Sequence, residues 1–345
     1  MRPARRTALS TLAAATLLAM AGTTAAHAAT PVPKVGTPFP YVGLVRAAGE
    51  DRYETAAVVS RGSFQPSAGS SVFVTSGEAP ADALTAGPAA ASLDAPLLLT
   101  RPGELPAATA EELDRLAPAT VYVVGGADRV SEATVAEISA AAPGATVTRI
   151  AGDTRWETAV EVAERFFPDP AGVVLTRGDT FPDALSGGAA AAVAGVPVMI
   201  TEPTQVPAPV AEWMAAHTFE QSLVVGGPAS VSEDVAAALA ARSGGAAPVR
   251  LAGADRYDTS AAVAAQVFPA ATTTTVLLAT GDDFPDALAG VPAAAVNAAP
   301  ILLLPKSCSP ASTLAYLGTF PEGVSEIVLG GPTAVTPEAL SVACA

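Results

Sequence analysis

The chain has 345 residues, half of them hydrophobic but only 5% aromatic, so its cores are filled by small aliphatic side chains rather than by rings. Eighteen basic residues face 33 acidic ones, a net charge of −15. A surface of that sign repels nucleic-acid backbones and anionic membranes, which argues against nucleic acid as a partner.

The first residues read Met1-Arg-Pro-Ala-Arg-Arg6, then an apolar run of small residues from Thr7 to Ala21, then Ala26-His-Ala28. A basic start, a short apolar stretch and a small-residue cleavage site describe a secretory signal over residues 1–28. The apolar run is too short to span a bilayer, so the expected product is secreted and does not cross the membrane once the signal is cut. Cleavage takes three arginines and no acid, which deepens the net charge to −18. Residues 29–44 carry Pro31, Pro33, Pro38 and Pro40 and read as an extended linker.

From there the chain repeats itself three times, over 45–148, 149–248 and 249–345. Each repeat opens with a strand-like segment and a signature: Ala48-Gly-Glu-Asp-Arg-Tyr-Glu-Thr-Ala56, Ala151-Gly-Asp-Thr-Arg-Trp-Glu-Thr-Ala159 and Ala252-Gly-Ala-Asp-Arg-Tyr-Asp-Thr-Ser260. An alanine- and valine-rich helix follows, then a short apolar strand. Next come Ser76-Gly-Glu-Ala-Pro-Ala-Asp-Ala-Leu84, Arg177-Gly-Asp-Thr-Phe-Pro-Asp-Ala-Leu185 and Thr280-Gly-Asp-Asp-Phe-Pro-Asp-Ala-Leu288. Proline in the first turn with an acid beside it starts a second helix. In every copy the aspartate (Asp82, Asp183, Asp286) stands 14 residues before a proline (Pro96, Pro197, Pro300) that opens a continuously apolar strand. Strands of that kind are buried on both faces of a parallel sheet. A third helix and a strand ending in a glycine pair complete the pattern. Ser131, Ser232 and Thr336 then read as N-caps of a fourth helix. Strand and helix alternating over short links predict an α/β fold of three tandem parallel-sheet modules.

These motifs, in the same order three times over, resemble the cell wall binding repeat 2 family, and the resemblance covers nearly all the chain after about Val45. It implies flavodoxin- or toprim-like α/β modules in a pseudo-threefold arrangement, on exported Gram-positive proteins held non-covalently to the cell wall. The implied partner is a wall polysaccharide, often an anionic secondary polymer, with peptidoglycan itself as the other candidate. Family members usually anchor another domain; here the third repeat runs to the last residue, which reads as an anchor without cargo. The copies also differ. The second repeat has Thr154 and Trp156 where its siblings have Asp51/Asp255 and Tyr53/Tyr257, and the first has Glu78-Ala-Pro-Ala-Asp82 where the others have Asp-x-Phe-Pro-Asp.

Three sets of residues carry chemistry. Arg52, Arg155 and Arg256 share one slot on an acidic protein, where a guanidinium either holds a carboxylate or phosphate of the ligand or pairs with an internal acid. Asp82, Asp183 and Asp286, each four residues after an acid (Glu78, Asp179, Asp282), lie where a strand hands over to a helix. They either cap that helix or contact ligand, if need be through a bound Ca²⁺ or Mg²⁺; no cofactor is otherwise indicated. Cys308 and Cys344 read as a structural disulfide or as two buried thiols. With His217 the only histidine left after signal cleavage, neither a zinc amidase nor a Ser-His-Asp triad can be assembled. The expectation is a non-enzymatic wall-polysaccharide binder. A surface-layer or structural anchor that recruits a partner, and a metal-dependent hydrolase, stand as alternatives.

Overall fold

The computed structural model describes residues 41–244, 247–321 and 323–344. The signal segment and most of the proline-rich stretch lie outside them, while residues 41–44 already belong to the first strand. The first repeat comprises β1 (Tyr41–Ala47), α1 (Arg52–Ser63), β2 (Ser71–Ser76), α2 (Pro80–Ser92), β3 (Leu97–Thr100), α3 (Ala107–Leu116), β4 (Thr120–Val124) and α4 (Glu132–Ala141). The second continues with β5 (Thr146–Ile150), α5 (Arg155–Phe166), β6 (Gly172–Arg177), α6 (Pro182–Ala194), β7 (Val198–Thr201), α7 (Ala208–Ala216), β8 (Gln221–Val225) and α8 (Glu233–Ala240). The third holds β9 (Val249–Leu251), α9 (Arg256–Val267), β10 (Thr275–Thr280), α10 (Pro285–Val296), β11 (Ile301–Leu304), α11 (Ala311–Leu317) and β12 (Val324–Leu329).

The twelve strands form three parallel four-stranded sheets, ordered β3-β2-β4-β5, β7-β6-β8-β9 and β11-β10-β12-β1. Each sheet therefore draws its last strand from the start of the next repeat. β5 pairs with β4 and β9 with β8. β1 closes the ring by pairing with β12 at the far end of the chain. Helix starts obey the local rules. Asp51 and Asp255 each accept two backbone N–H groups at the start of α1 and α9. The odd Thr154 makes a capping box with Glu157, so the second repeat reaches the same helix start by different chemistry.

The apolar strands β3, β7 and β11 lie at sheet edges and are nevertheless buried throughout. Their cover comes from two sides: the opening helix of the same repeat and the second helix of a neighbouring one. Thus β3 lies under α1 and α10, β7 under α5 and α2, and β11 under α9 and α6. One core consequently runs through all three repeats, with Leu84, Leu185 and Leu288 in it. Separate outer cores fill the opposite face of each sheet.

The three second helices, α2, α6 and α10, pack against one another pairwise around a pseudo-threefold axis. Nearly all their residues are buried, and their small side chains let the backbones come close. At the position five residues after the repeated aspartate (Asp82, Asp183, Asp286) stand Gly87, Gly188 and Val291. A Cβ on Gly87 would lie 2.8 Å from Val291 Cγ1, and one on Gly188 would lie 3.4 Å from Val291 Cγ2. The axis has room for a single side chain, and the third repeat supplies it.

The fourth helix expected after Thr336 is absent: a 3₁₀ turn at Glu338–Leu340 stands in its place, preceded by Pro337. The backbone beyond it is committed elsewhere. Ser309 N–H donates to the Val342 carbonyl, Cys344 N–H donates to Ser309, and Cys308 and Cys344 are joined by a disulfide with Cα atoms 5.0 Å apart. A second departure of this repeat is Glu326, which stands where Val121 and Ser222 stand in its siblings. Its side chain is buried among Leu278, Leu304, Leu317 and Leu340, and that burial pushes the carboxyl up to about 7.

Two outcomes are expected. Gly87→Val overfills the axis and Val291→Ala empties it, each costing about 2 kcal/mol, while the double variant loses less than the sum, as urea unfolding will show. The Glu326 carboxyl titrates near 4.5 when unfolded and near 7 when folded, so the native state holds its proton more tightly. Stability from this group is complete below 4.5 and is lost as pH rises through 7, by about 3 kcal/mol. Thermal melts across that range should show the fall, and Glu326→Gln should flatten it.

Candidate functional site

The residues singled out in the sequence meet at the seams between repeats. Arg52, Arg155 and Arg256 are the first residues of α1, α5 and α9. Each Nη1 donates to the carbonyl of a glycine in its own repeat: Gly77 at 2.6 Å, Gly178 at 3.0 Å and Gly281 at 2.5 Å. That bond fixes the guanidinium at the mouth of the seam, because α1, α5 and α9 pack on α10, α2 and α6 of the neighbouring repeats.

Beyond that shared bond the three sites differ. Arg52 pairs with Asp283 of the third repeat at 3.5 Å and lies 5.8 Å from the centre of the Phe284 ring. Arg256 lies 5.7 Å from the Phe181 ring of the second repeat. Arg155 lies 5.8 Å from the ring of its own neighbour, Trp156. Phe181 and Phe284 are themselves in contact, centroids 5.6 Å apart. Arg155 and Arg256 are exposed, and among the described residues neither has an ion-pair partner within 4 Å.

The aspartates sit deeper. Asp82 is buried, and Asp183 and Asp286 are half-buried. Burial raises all three carboxyls above the ordinary range. Nearby groups offset part of that: Arg129, Arg155 and the Thr158 hydroxyl for Asp82; Ser230, Arg256 and Arg177 for Asp183; Thr55 and Arg52 for Asp286. Thr158 and Thr55 belong to the opening helix of a different repeat, so these carboxyls link repeats together. Each also presses on the first residue of a glycine pair: Gly125, Gly226 and Gly330 have φ of +118°, +117° and +99°. A Cβ there would lie 2.8, 2.6 and 2.2 Å from the Oδ2 of Asp82, Asp183 and Asp286. Glycine is required twice over, by conformation and by space.

The outer acids are exposed and engaged. Tyr53 donates to Glu78 at 3.4 Å, Tyr257 donates to Asp282 at 3.0 Å, and Arg177 is hydrogen-bonded to Asp179. Among the described residues, no group of three or more His, Cys, Asp or Glu side chains is placed to hold a metal ion. His217 bonds the Trp213 carbonyl through Nδ1 at 2.8 Å and lies tilted against the indole with ring centroids 4.6 Å apart, a packing role.

A second set of arginines escaped the sequence reading. Arg46, Arg149 and Arg250 on β1, β5 and β9 donate to the carbonyls of Gly330, Gly125 and Gly226 at 2.7, 2.7 and 2.8 Å. They bind each opening strand to the sheet that receives it. The signal was present, an arginine three residues before Gly49, Gly152 and Gly253 in every copy.

A family model described as cell wall binding domain 2 matches residues 46–135, 149–236 and 250–340. The chain is 30% identical over 258 residues to the N-acetylmuramoyl-L-alanine amidase LytC of Bacillus subtilis, covering 75% of this chain and 49% of that protein. It is 27% identical over 267 residues to an amidase enhancer of the same organism, covering 77% and 35%. Among solved structures, Cwp6 from Clostridium difficile superposes with a TM-score of 0.76 at 27% identity, over 94% of this chain and 50% of that one. Cwp8 from the same organism gives a TM-score of 0.77 at 26% identity, over 85% and 50%. The chain thus spans half the length, or less, of each of these relatives. Three matched repeats that cover most of the chain place it in the cell wall binding domain 2 family.

Proposed function

We propose that this protein is a secreted, non-catalytic binder of cell-wall polysaccharide that engages an anionic polymer through the arginines at its seams. The observation that carries the reading is the placement of Arg52, Arg155 and Arg256. On a chain with almost twice as many acids as bases, three guanidiniums are held by glycine carbonyls at the mouths of three equivalent seams, two of them exposed and, among the described residues, without an acid partner within 4 Å. A guanidinium with donors to spare suits a carboxylate or phosphate, which it can take bidentately.

Membership of a wall-binding family supports the same reading, as does a likeness to an amidase whose name points to wall chemistry. Asp82, Asp183 and Asp286 serve it indirectly, by holding the seams in shape. With three seams on one body, a repeating polymer that meets more than one of them gains avidity of about 10²–10⁴ without new contacts.

The test is co-sedimentation of the mature chain with purified Gram-positive walls, before and after acid extraction of their secondary polymers, over a range of salt. Retention should fall on extraction and fall again as salt screens the charged contacts. Retention that survives extraction and is indifferent to salt would overturn an anionic secondary polymer as the ligand.

A further inference from the structure

The triplication makes three seams of one design, yet their charges differ. At the seam between the third and first repeats, Arg52 is already paired with Asp283 and lies over Phe284. At the seam between the second and third, Arg256 lies over Phe181. At the seam between the first and second, both neighbours are missing: Ala79 replaces Asp283 and Pro80 replaces Phe284 opposite Arg155. The loop after the glycine pair alters the balance again. The first repeat carries Arg129 where its siblings carry Ser230 and Ala334, and the three share one turn, each N–H donating to the second glycine of its pair. Arg129 is exposed and pairs with its exposed neighbour Asp128 at 3.3 Å, where the siblings have Ala229 and Thr333; its Cβ would lie 3.2 Å from a Cβ on Gly125, and Asp82 Oδ2 would lie 2.8 Å from the same point. Arg129 and Arg155 thus approach one carboxyl from two repeats, and both lower its pKa.

The aromatic residue differs here as well. Tyr53 and Tyr257 spend their hydroxyls on Glu78 and Asp282, whereas Trp156 has no such bond and keeps its indole half-buried beside Arg155. The acid equivalent to Glu78 and Asp282, Asp179, is taken by Arg177 through two hydrogen bonds. This leaves a seam mouth with two arginines, a half-buried indole beside one of them and no phenylalanine over it.

We propose that the seam between the first and second repeats is the principal ligand seat, in which Arg155 and Arg129 hold the carboxylate or phosphate of an acidic sugar unit whose ring packs on Trp156. This rests on the reading that the seams bind an anionic polymer, and it ranks them: Arg155 first, Arg256 next, Arg52 last. Two guanidiniums converging on one anion add charge-assisted bonds that a single arginine cannot supply. An indole offers a flat apolar face to the ring.

The experiment is retention on purified walls of the full-length mature chain carrying single changes, with melting temperatures measured alongside. Arg155→Gln should weaken retention about tenfold, and Arg52→Gln by less than about twofold. Ala79→Asp is the decisive variant, because it copies the acid that occupies Arg52 without removing any arginine. Ala79 is the N-cap of α2 and makes no side-chain cap bond, so aspartate there should hold or raise the melting temperature. Retention should nonetheless drop toward the Arg155→Gln level. Equal losses for Arg52→Gln and Arg155→Gln, or full retention by Ala79→Asp, would overturn the ranking while leaving an arginine-lined ligand site in place. Wild-type retention by the triple variant Arg52→Gln/Arg155→Gln/Arg256→Gln would sink the broader reading instead. Competition by polygalacturonate identifies a carboxylate as the favoured anion, and competition by phosphomannan, whose sugar rings carry phosphate, a phosphate. Competition by neither would overturn the acidic-sugar assignment.

Discussion

Three helices meet along a line that has room for one side chain, and the rest of the molecule is arranged around that meeting. α2, α6 and α10 approach closely because Gly87 and Gly188 leave the axis free for Val291. Helices surrounded on every side cannot be amphipathic; they must be small and apolar, which is why alanine dominates this composition and aromatic residues are scarce. The packing also breaks the symmetry of the triplication. Three valines at that position would collide and three glycines would leave a void, so one repeat had to diverge from its siblings.

The same geometry explains why no repeat is self-sufficient. The edge strands β3, β7 and β11 are fully buried because a helix of another repeat covers each one. Each sheet receives its last strand from the following repeat, held there by Arg149, Arg250 or, across the closure of the ring, Arg46. The seams are therefore structural before they are functional. Asp82 and Asp286 are held in them against threonines of another repeat, and the exposed arginines sit at their mouths. A ligand site placed there inherits its rigidity from contacts that the fold already needs.

Much of this was legible in the sequence, because a motif repeated three times in fixed order exposes its own elements. The strands, the Phe-Pro-Asp helices and the parallel topology could all be read from period and punctuation, and the glycine pairs read as turns. Sheet membership could not. Nothing in the residues around Val45 says that they pair with Ile327 rather than with the repeat that they introduce. Partners across a seam were hidden for the same reason: Arg52 and Asp283 are 231 residues apart, and only the ring brings them together. The fourth helix after Thr336 was misread because a good cap signal competes there with the disulfide and with the pairing of Ser309 to Val342, both long-range. Arg46, Arg149 and Arg250 were overlooked although their spacing was regular, since an arginine within a strand reads as a solvent-facing residue until its carbonyl partner is seen.

The central claim is that three repeats make one cooperative body, because strands and helices are shared around a closed ring. Equilibrium unfolding of the mature chain carrying Trp156→Tyr, the residue its siblings have, tests it most directly, with far-UV circular dichroism following all three sheets and the fluorescence of Trp213, then the only tryptophan, following the core of the second, where that side chain is buried. The account predicts one transition, coincident by both probes. Separate transitions, with the Trp213 signal changing at its own midpoint, would contradict it and make the repeats independent modules on a string.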